Sequence, residues 1–170
     1  MKQSPELDRI QAAMRPGAIT QSGFLGTDSR KLADLLADDE AAVARLGLTH
    51  RRIADRLKLF RAAGEKGLGN DVTVAPHFEA RVDGVRGKLA CPFTHPGLFD
   101  KTFCVVRNRV LEEELVFTDL QIHMIEAHGF YEGTGSLFRL APERIARVLE
   151  LHAEASDGAP PLNRPPPRTA

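Results

Sequence analysis

The stretch Phe78-Glu79-Ala80-Arg81-Val82-Asp83-Gly84-Val85-Arg86-Gly87-Lys88-Leu89-Ala90 decides the fold class of this chain. Before Gly69-Asn70 the apolar residues recur at helical spacing. From Val72-Thr73-Val74 onward they alternate with polar ones, the period of a half-buried strand. Residues 78–82 and 85–90 flank Asp83-Gly84, whose two residues tolerate the positive φ of a type I′ turn, so a β-hairpin is expected to turn there. A second hairpin is expected between Thr102-Phe103-Cys104-Val105-Val106 and Glu114-Leu115-Val116-Phe117. Its first strand is apolar on both faces, which places it centrally in the sheet.

Upstream the pattern is helical. Ser4 caps a short helix over 5–14 with Pro5 at its first position, and Pro16-Gly17 ends it. After a connector containing Gly17, Gly23 and Gly26, Asp28 or Ser29 is expected to cap a longer helix carrying Leu32, Leu35, Leu36, Val43 and Leu46, stopped by Gly47. Thr49 caps the next, with Ile53, Leu57 and Phe60 on its inner face, and the two read as an antiparallel helical hairpin. Downstream, Thr118-x-x-Gln121 is a capping box opening a helix that Gly129 closes in the left-handed conformation. Gly133-Thr134-Gly135-Ser136 is a turn, and Pro142 starts a last helix with Ile145, Val148 and Leu149 inward.

A helical first part followed by a β-rich second part is an α+β arrangement rather than a βαβ series. We therefore expect one domain over 1–155: a helical part (1–68) and a β-rich part with two helices (70–155). From Ser156, Gly158 and the prolines at 160, 161, 165, 166 and 167 leave too little apolar content to fold, so 156–170 reads as a disordered tail.

Lys plus Arg and Asp plus Glu number 23 each in 170 residues. A net charge of zero supplies no field toward nucleic acid or an anionic membrane, and leaves a protein partner open. The first residues lack an apolar signal core and no apolar run is long enough to span a bilayer, which points to the cytoplasm. Two cysteines are too few for a disulfide scaffold; their default state is a small buried hydrophobe.

The chemistry concentrates between Cys91 and His128. Two histidines, His123 and His128, sit on the short helix after the second hairpin, and histidines three to five residues apart form the helix half of a ββα zinc finger. With Cys91, His95 and Cys104 nearby in sequence they form a nitrogen and sulfur set suited to Zn²⁺. Two departures stand against a finger. Twelve residues, 92 to 103, separate the cysteines, and a pair at i, i+5 lies about 140° apart on a helix, so a joint site asks for a distorted last turn. Neither H-E-x-x-H nor H-x-x-E-H is present.

A second arrangement needs no metal. Asp119, His123 and Glu126 fall within about 60° on the helix circumference, where a carboxylate can orient His123 as a general base, alone or with a nearby thiol. Leu48-Thr49-His50-Arg51-Arg52-Ile53-Ala54-Asp55-Arg56-Leu57 resembles the first helix of a helix-turn-helix unit. However, 58–63 continue the helix where a turn should come, and Arg51, Arg52, Arg56, Lys58 and Arg61 read as a solvated face. Glu132-Gly133-Thr134-Gly135-Ser136 lacks the lysine and spacing of a phosphate loop. Phe130, Tyr131, Leu137 and Phe138 around it read as core, or as the lining of a pocket beside His128.

Cys91-Pro92-Phe93, the run 118–130 and Glu132-Gly133 resemble a group of small uncharacterised bacterial proteins, over about residues 24 to 149. The resemblance implies a bacterial cytosolic protein of the same α+β plan and brings no activity or catalytic residue. The leading functional expectation is a non-enzymatic zinc-binding or interaction module. A small enzyme or ligand-binding protein using His123 and His128 is the second, and nucleic-acid binding through the helical hairpin is the third.

Overall fold

The sheet is an antiparallel meander in the order β1-β2-β3-β4, built from Val72–Val74 (β1), Phe78–Ala90 (β2), Leu98–Asn108 (β3) and Glu113–Thr118 (β4). Three helices precede it, Pro5–Ala13 (α1), Leu32–Arg45 (α2) and His50–Glu65 (α3), and two follow, Asp119–His128 (α4) and Pro142–Val148 (α5). The structure is a computed structural model and describes residues 2–153. The expected tail at 156–170 lies outside the described residues. Among those described, no helix is long and apolar enough to cross a membrane.

The α+β class holds, and β3 occupies the interior position its two apolar faces implied. The Asp83-Gly84 turn does not form. β2 runs straight through it, with Asp83 opposite Phe103 and Gly84 opposite Thr102. The Asp83 carboxylate is engaged by Arg81 Nε at 2.8 Å instead of by a turn backbone. A β3 long enough to pair with the whole of β2 outweighs the local preference of the dipeptide.

Because β1 pairs with β2 only as far as Ala80 and β4 with β3 only from Phe103, the far ends of β2 and β3 continue as a two-stranded arm. The register of the arm shifts between Val85 and Lys88, around Gly87 at φ +120°. Its tip is the loop 91–97.

Ser4 and Thr49 cap α1 and α3 as expected, each accepting from a backbone N–H three residues on. The cap of α2 differs. Its N-cap position is Lys31, with no side-chain bond, whereas Asp28 accepts from the Thr134 N–H and pairs with Arg30. The first amides of α2 are satisfied from α1: Leu32 N–H donates to Gln11 Oε1 and Ala33 N–H to Gln3 Oε1, both at 3.0 Å. Tertiary contact thus replaces a local cap. Residues 46–49 link α2 to α3; α2 packs mainly on α1 and α5, and α3 on α4 and β2.

Two apolar clusters form the interior. The larger lies between the sheet and the helices α3 and α5, around Ile53, Phe60, Phe78, Val106, Phe117 and Leu149. The smaller gathers Met14, Phe24, Leu32, Leu35, Cys91 and Phe130. Helix α4 serves both, with Ile122 and Ile125 on one and Leu120 and Met124 on the other. Apolar side chains on two of its sides let it join both clusters, while Asp119, Glu126 and the histidines occupy the less buried positions. Both of its ends are fixed: the Thr118–Gln121 capping box is complete, and Gly129 closes it at φ +63°.

Candidate metal centre

Three side chains converge where the arm meets the end of α4. The ligand atoms of Cys91, His123 and His128 all lie within 4.8 Å of one another, a grouping able to hold a metal ion. Cys91 Sγ is 3.5 Å from His128 Nε2. Zn–S and Zn–N bonds of about 2.3 and 2.05 Å at a tetrahedral angle require an S···N separation of about 3.6 Å.

Each residue arrives from a different piece of local structure. Cys91 directly follows β2 and begins a tight turn, closed by Thr94 N–H donating to Cys91 O at 3.1 Å with Thr94 at φ +58°. The turn aims the backbone N–H groups of Phe93 and His95 at the sulfur. Burial pushes the thiol pKa up, and these two donors oppose it.

His123 and His128 approach each other without any break in α4. Gly129 N–H donates to Ile125 O, and Phe130 N–H to Met124 O, a regular left-handed ending. Their ring centroids are 5.3 Å apart, at 81° to one another. Ala127, between them on the helix circumference, contributes one methyl, so the imidazoles lean together across it and the expected distortion is not needed.

Aromatic rings fix the histidines. Phe93 stacks on His128 with centroids 4.2 Å apart and Phe99 on His123 at 4.4 Å. His95, on the exposed loop, sets its ring 4.7 Å from His123 and 5.7 Å from His128. Burial, and then the neighbouring imidazoles, lower the pKa of His128 to about 4, and burial and His95 lower that of His123. Neutral imidazole is the form that ligates a metal. His123 Nε2 is buried and has no hydrogen-bond partner. His128 also lines a depression along α2 with Leu36, Glu40 and Ala44.

Cys104 is elsewhere. It belongs to the larger cluster, opposite Phe117 in the sheet, with its thiol pushed up to about 12 by burial. The set of five expected from sequence therefore divides into Cys91, His123 and His128, with His95 against them, and a separate core thiol. Neither carboxylate of α4 orients His123: Asp119 receives two bonds from Arg61, and Glu126 pairs with Lys58 at 2.6 Å. On α3, Arg51 pairs with Asp55, and Arg56 donates to Leu149 O. Phe130 and Tyr131 are core, Leu137 is exposed, and Phe138 lines a cavity with Glu132 rather than one beside His128.

Glu132, expected only as part of a flexible turn, is 3% exposed and sits at φ +65°. Sequence reasoning passed over the buried pair of Asp39 with Arg139 (2.6 and 2.8 Å). No local pattern marks the Asp39–Arg139 pair, whose partners lie far apart in the chain, or the burial of Glu132, which depends on the packing of 24 and 25 against the turn. No family model matches this chain, and neither a curated protein nor a solved structure is significantly similar to it.

Proposed function

We propose that the chain is a non-enzymatic zinc-binding module in which Cys91, His123, His128 and His95 hold one Zn²⁺ and pin the β2–β3 arm to α4. The observation that carries this reading is the buried, unpartnered His123 Nε2 beside a sulfur and a nitrogen already at the spacing of tetrahedral zinc. A Cys91–His128 hydrogen bond alone would account for the 3.5 Å contact and leave the His123 nitrogen unsatisfied. A shared metal accounts for both. One sulfur and three nitrogens suit Zn²⁺ over the hard cations that prefer oxygen.

His95 supports a structural role. On this reading its exposed loop brings a ring nitrogen to the ion as the fourth ligand, which fills the position a catalytic zinc keeps open for water. The two carboxylates of α4 are held by cations of α3, so neither is placed to act as a general base on His123.

Metal analysis of untagged protein tests the reading. The wild type is expected to carry about one equivalent of zinc, lost in Cys91→Ser and His123→Ala and retained in Cys104→Ser. A wild type that is metal-free as isolated and takes up neither Zn²⁺ nor Co²⁺ on titration overturns it.

A further inference from the structure

On the side of Leu120 and Leu89 away from the histidines, a cavity of about 380 Å³ opens between the connector 19–24, the arm and the turn after α4. Its lining runs from exposed Gln21, Ser22, Val85 and Asp100 to fully buried Phe24, Leu120 and Glu132, so the buried three mark its inner end. Phe103 and Phe138 add aromatic wall. This is the size and make-up of a small-molecule pocket: mostly apolar, with few polar groups.

Besides Gln21, Ser22, Asp100, Lys101 and Thr118, the lining carries two polar groups that bear on a ligand. Thr20 lines the cavity, and its hydroxyl oxygen is buried at the wall without a hydrogen-bond partner. The Glu132 carboxyl lies at the inner end, held by the Ser136 hydroxyl, and the next residue packs closely on 24 and 25: Gly133 N–H donates to Phe24 O at 2.8 Å, and a side chain at Gly133 would strike Leu25 O. A non-glycine residue in the left-handed region costs about 1 kcal/mol or more, and strain of this kind gathers at ligand sites. Burial raises the Glu132 pKa to about 7, against the opposing pulls of Ser136 and Arg139.

We infer that this cavity is a binding site for a small, uncharged organic molecule with an apolar ring and one hydroxyl group, the hydroxyl bonded by Glu132 and Thr20 and the ring held among Phe24, Leu120 and Phe138. Charge selects the class. An anion at the inner end would face the Glu132 carboxyl, and burial, which raises the pKa of that carboxyl, weakens its hold on a cation. A neutral hydroxyl donates to the carboxylate, or accepts from the carboxyl, and satisfies the Thr20 oxygen in either case. The site is separate from the metal centre and does not depend on it.

Titration of the full chain with p-cresol, followed by amide and methyl NMR, tests the inference, with toluene as the probe lacking the hydroxyl. Saturable shifts at Ile19, Leu89 and Leu120, with toluene at least tenfold weaker, are expected. Thr20→Val should bring p-cresol down toward toluene, and Val85→Trp, at the exposed mouth, should block both without touching the core. Absence of saturable shifts overturns the inference, as does equal binding of the two probes that Thr20→Val leaves unchanged.

Discussion

Cys91 Sγ lies 3.5 Å from His128 Nε2, so the tip of a two-stranded arm touches the last residue of α4. A metal that binds here binds only the folded chain, because the ligands come from segments 91–95 and 123–128. By mass action, zinc at a hundredfold over its dissociation constant adds about 2.7 kcal/mol of stability. The melting temperature is therefore expected to rise with added Zn²⁺ and fall with a chelator in the wild type and in Cys104→Ser. It should be insensitive to both in Cys91→Ser. With Co²⁺ in place of zinc, a sulfur-to-cobalt charge-transfer band should appear in the wild type and vanish in Cys91→Ser. A band that persists would assign the sulfur to Cys104.

Glu132 ties stability to pH. Its folded pKa is raised to about 7 by burial, above an ordinary glutamate value near 4.5. Between these two values the folded state holds a proton that the unfolded state has released, so stability falls as pH rises through this window and levels off above it. The full effect is on the order of 3 kcal/mol. Urea unfolding at a series of pH values is expected to show this decline in the wild type and to lose it in Glu132→Gln. A wild-type profile that matches the variant would mean the carboxyl is not protonated on folding.

Asp39 is 3% exposed and accepts two bonds from Arg139. Removing one partner of a buried pair strands the other charge, at a cost of about 3–5 kcal/mol. Arg139→Leu is expected to destabilise by that order, and Asp39→Asn by less, since the amide oxygen can still accept from the guanidinium. The double variant Asp39→Leu/Arg139→Leu should be more stable than Arg139→Leu alone. Equilibrium unfolding of the three variants checks the order.

The features legible in the sequence are those whose partners lie within a few residues. The Thr118–Gln121 box, Gly129, and the caps at Ser4 and Thr49 each complete a bond three or four positions away, so residue type and spacing carry the whole signal. Cys91, His95, His123 and His128 were legible because their chemistry is rare in the chain. Their separation from Cys104 was not, because whether a strand residue faces one core or the other depends on the register of β3 with its neighbours. The α2 cap was hidden for a related reason, its acceptors being Gln3 and Gln11 on another helix. Asp83-Gly84 misled because a turn dipeptide reports local preference, and the length of the partner strand overrode it. The cavity joins residues from 19 to 138, a distribution that no window of sequence displays.

Gly129 links the histidine-bearing helix to a second set of contacts. It sits at φ +63°, and a Cβ there would lie 2.7 Å from His50 Nε2. His50 cannot easily withdraw, because Nε2 is 2.5 Å from Glu40 Oε2 and Nδ1 is 2.8 Å from the buried Tyr131 hydroxyl. Gly129→Ala therefore carries two costs: about 1 kcal/mol for alanine in the left-handed region, and a steric cost from the displaced imidazole that should bring the total to about 2–3 kcal/mol. The two are separable in a double-mutant cycle, because His50→Ala vacates the space. In that background Gly129→Ala is expected to cost only the first part, so the coupling should read as roughly 1–2 kcal/mol. Because His128 immediately precedes Gly129, the single variant should also bind zinc more weakly, and the double variant should recover part of that affinity. An equal cost in both backgrounds would mean that the helix end moves away from His50 instead, and zinc affinity should then stay low in the double variant.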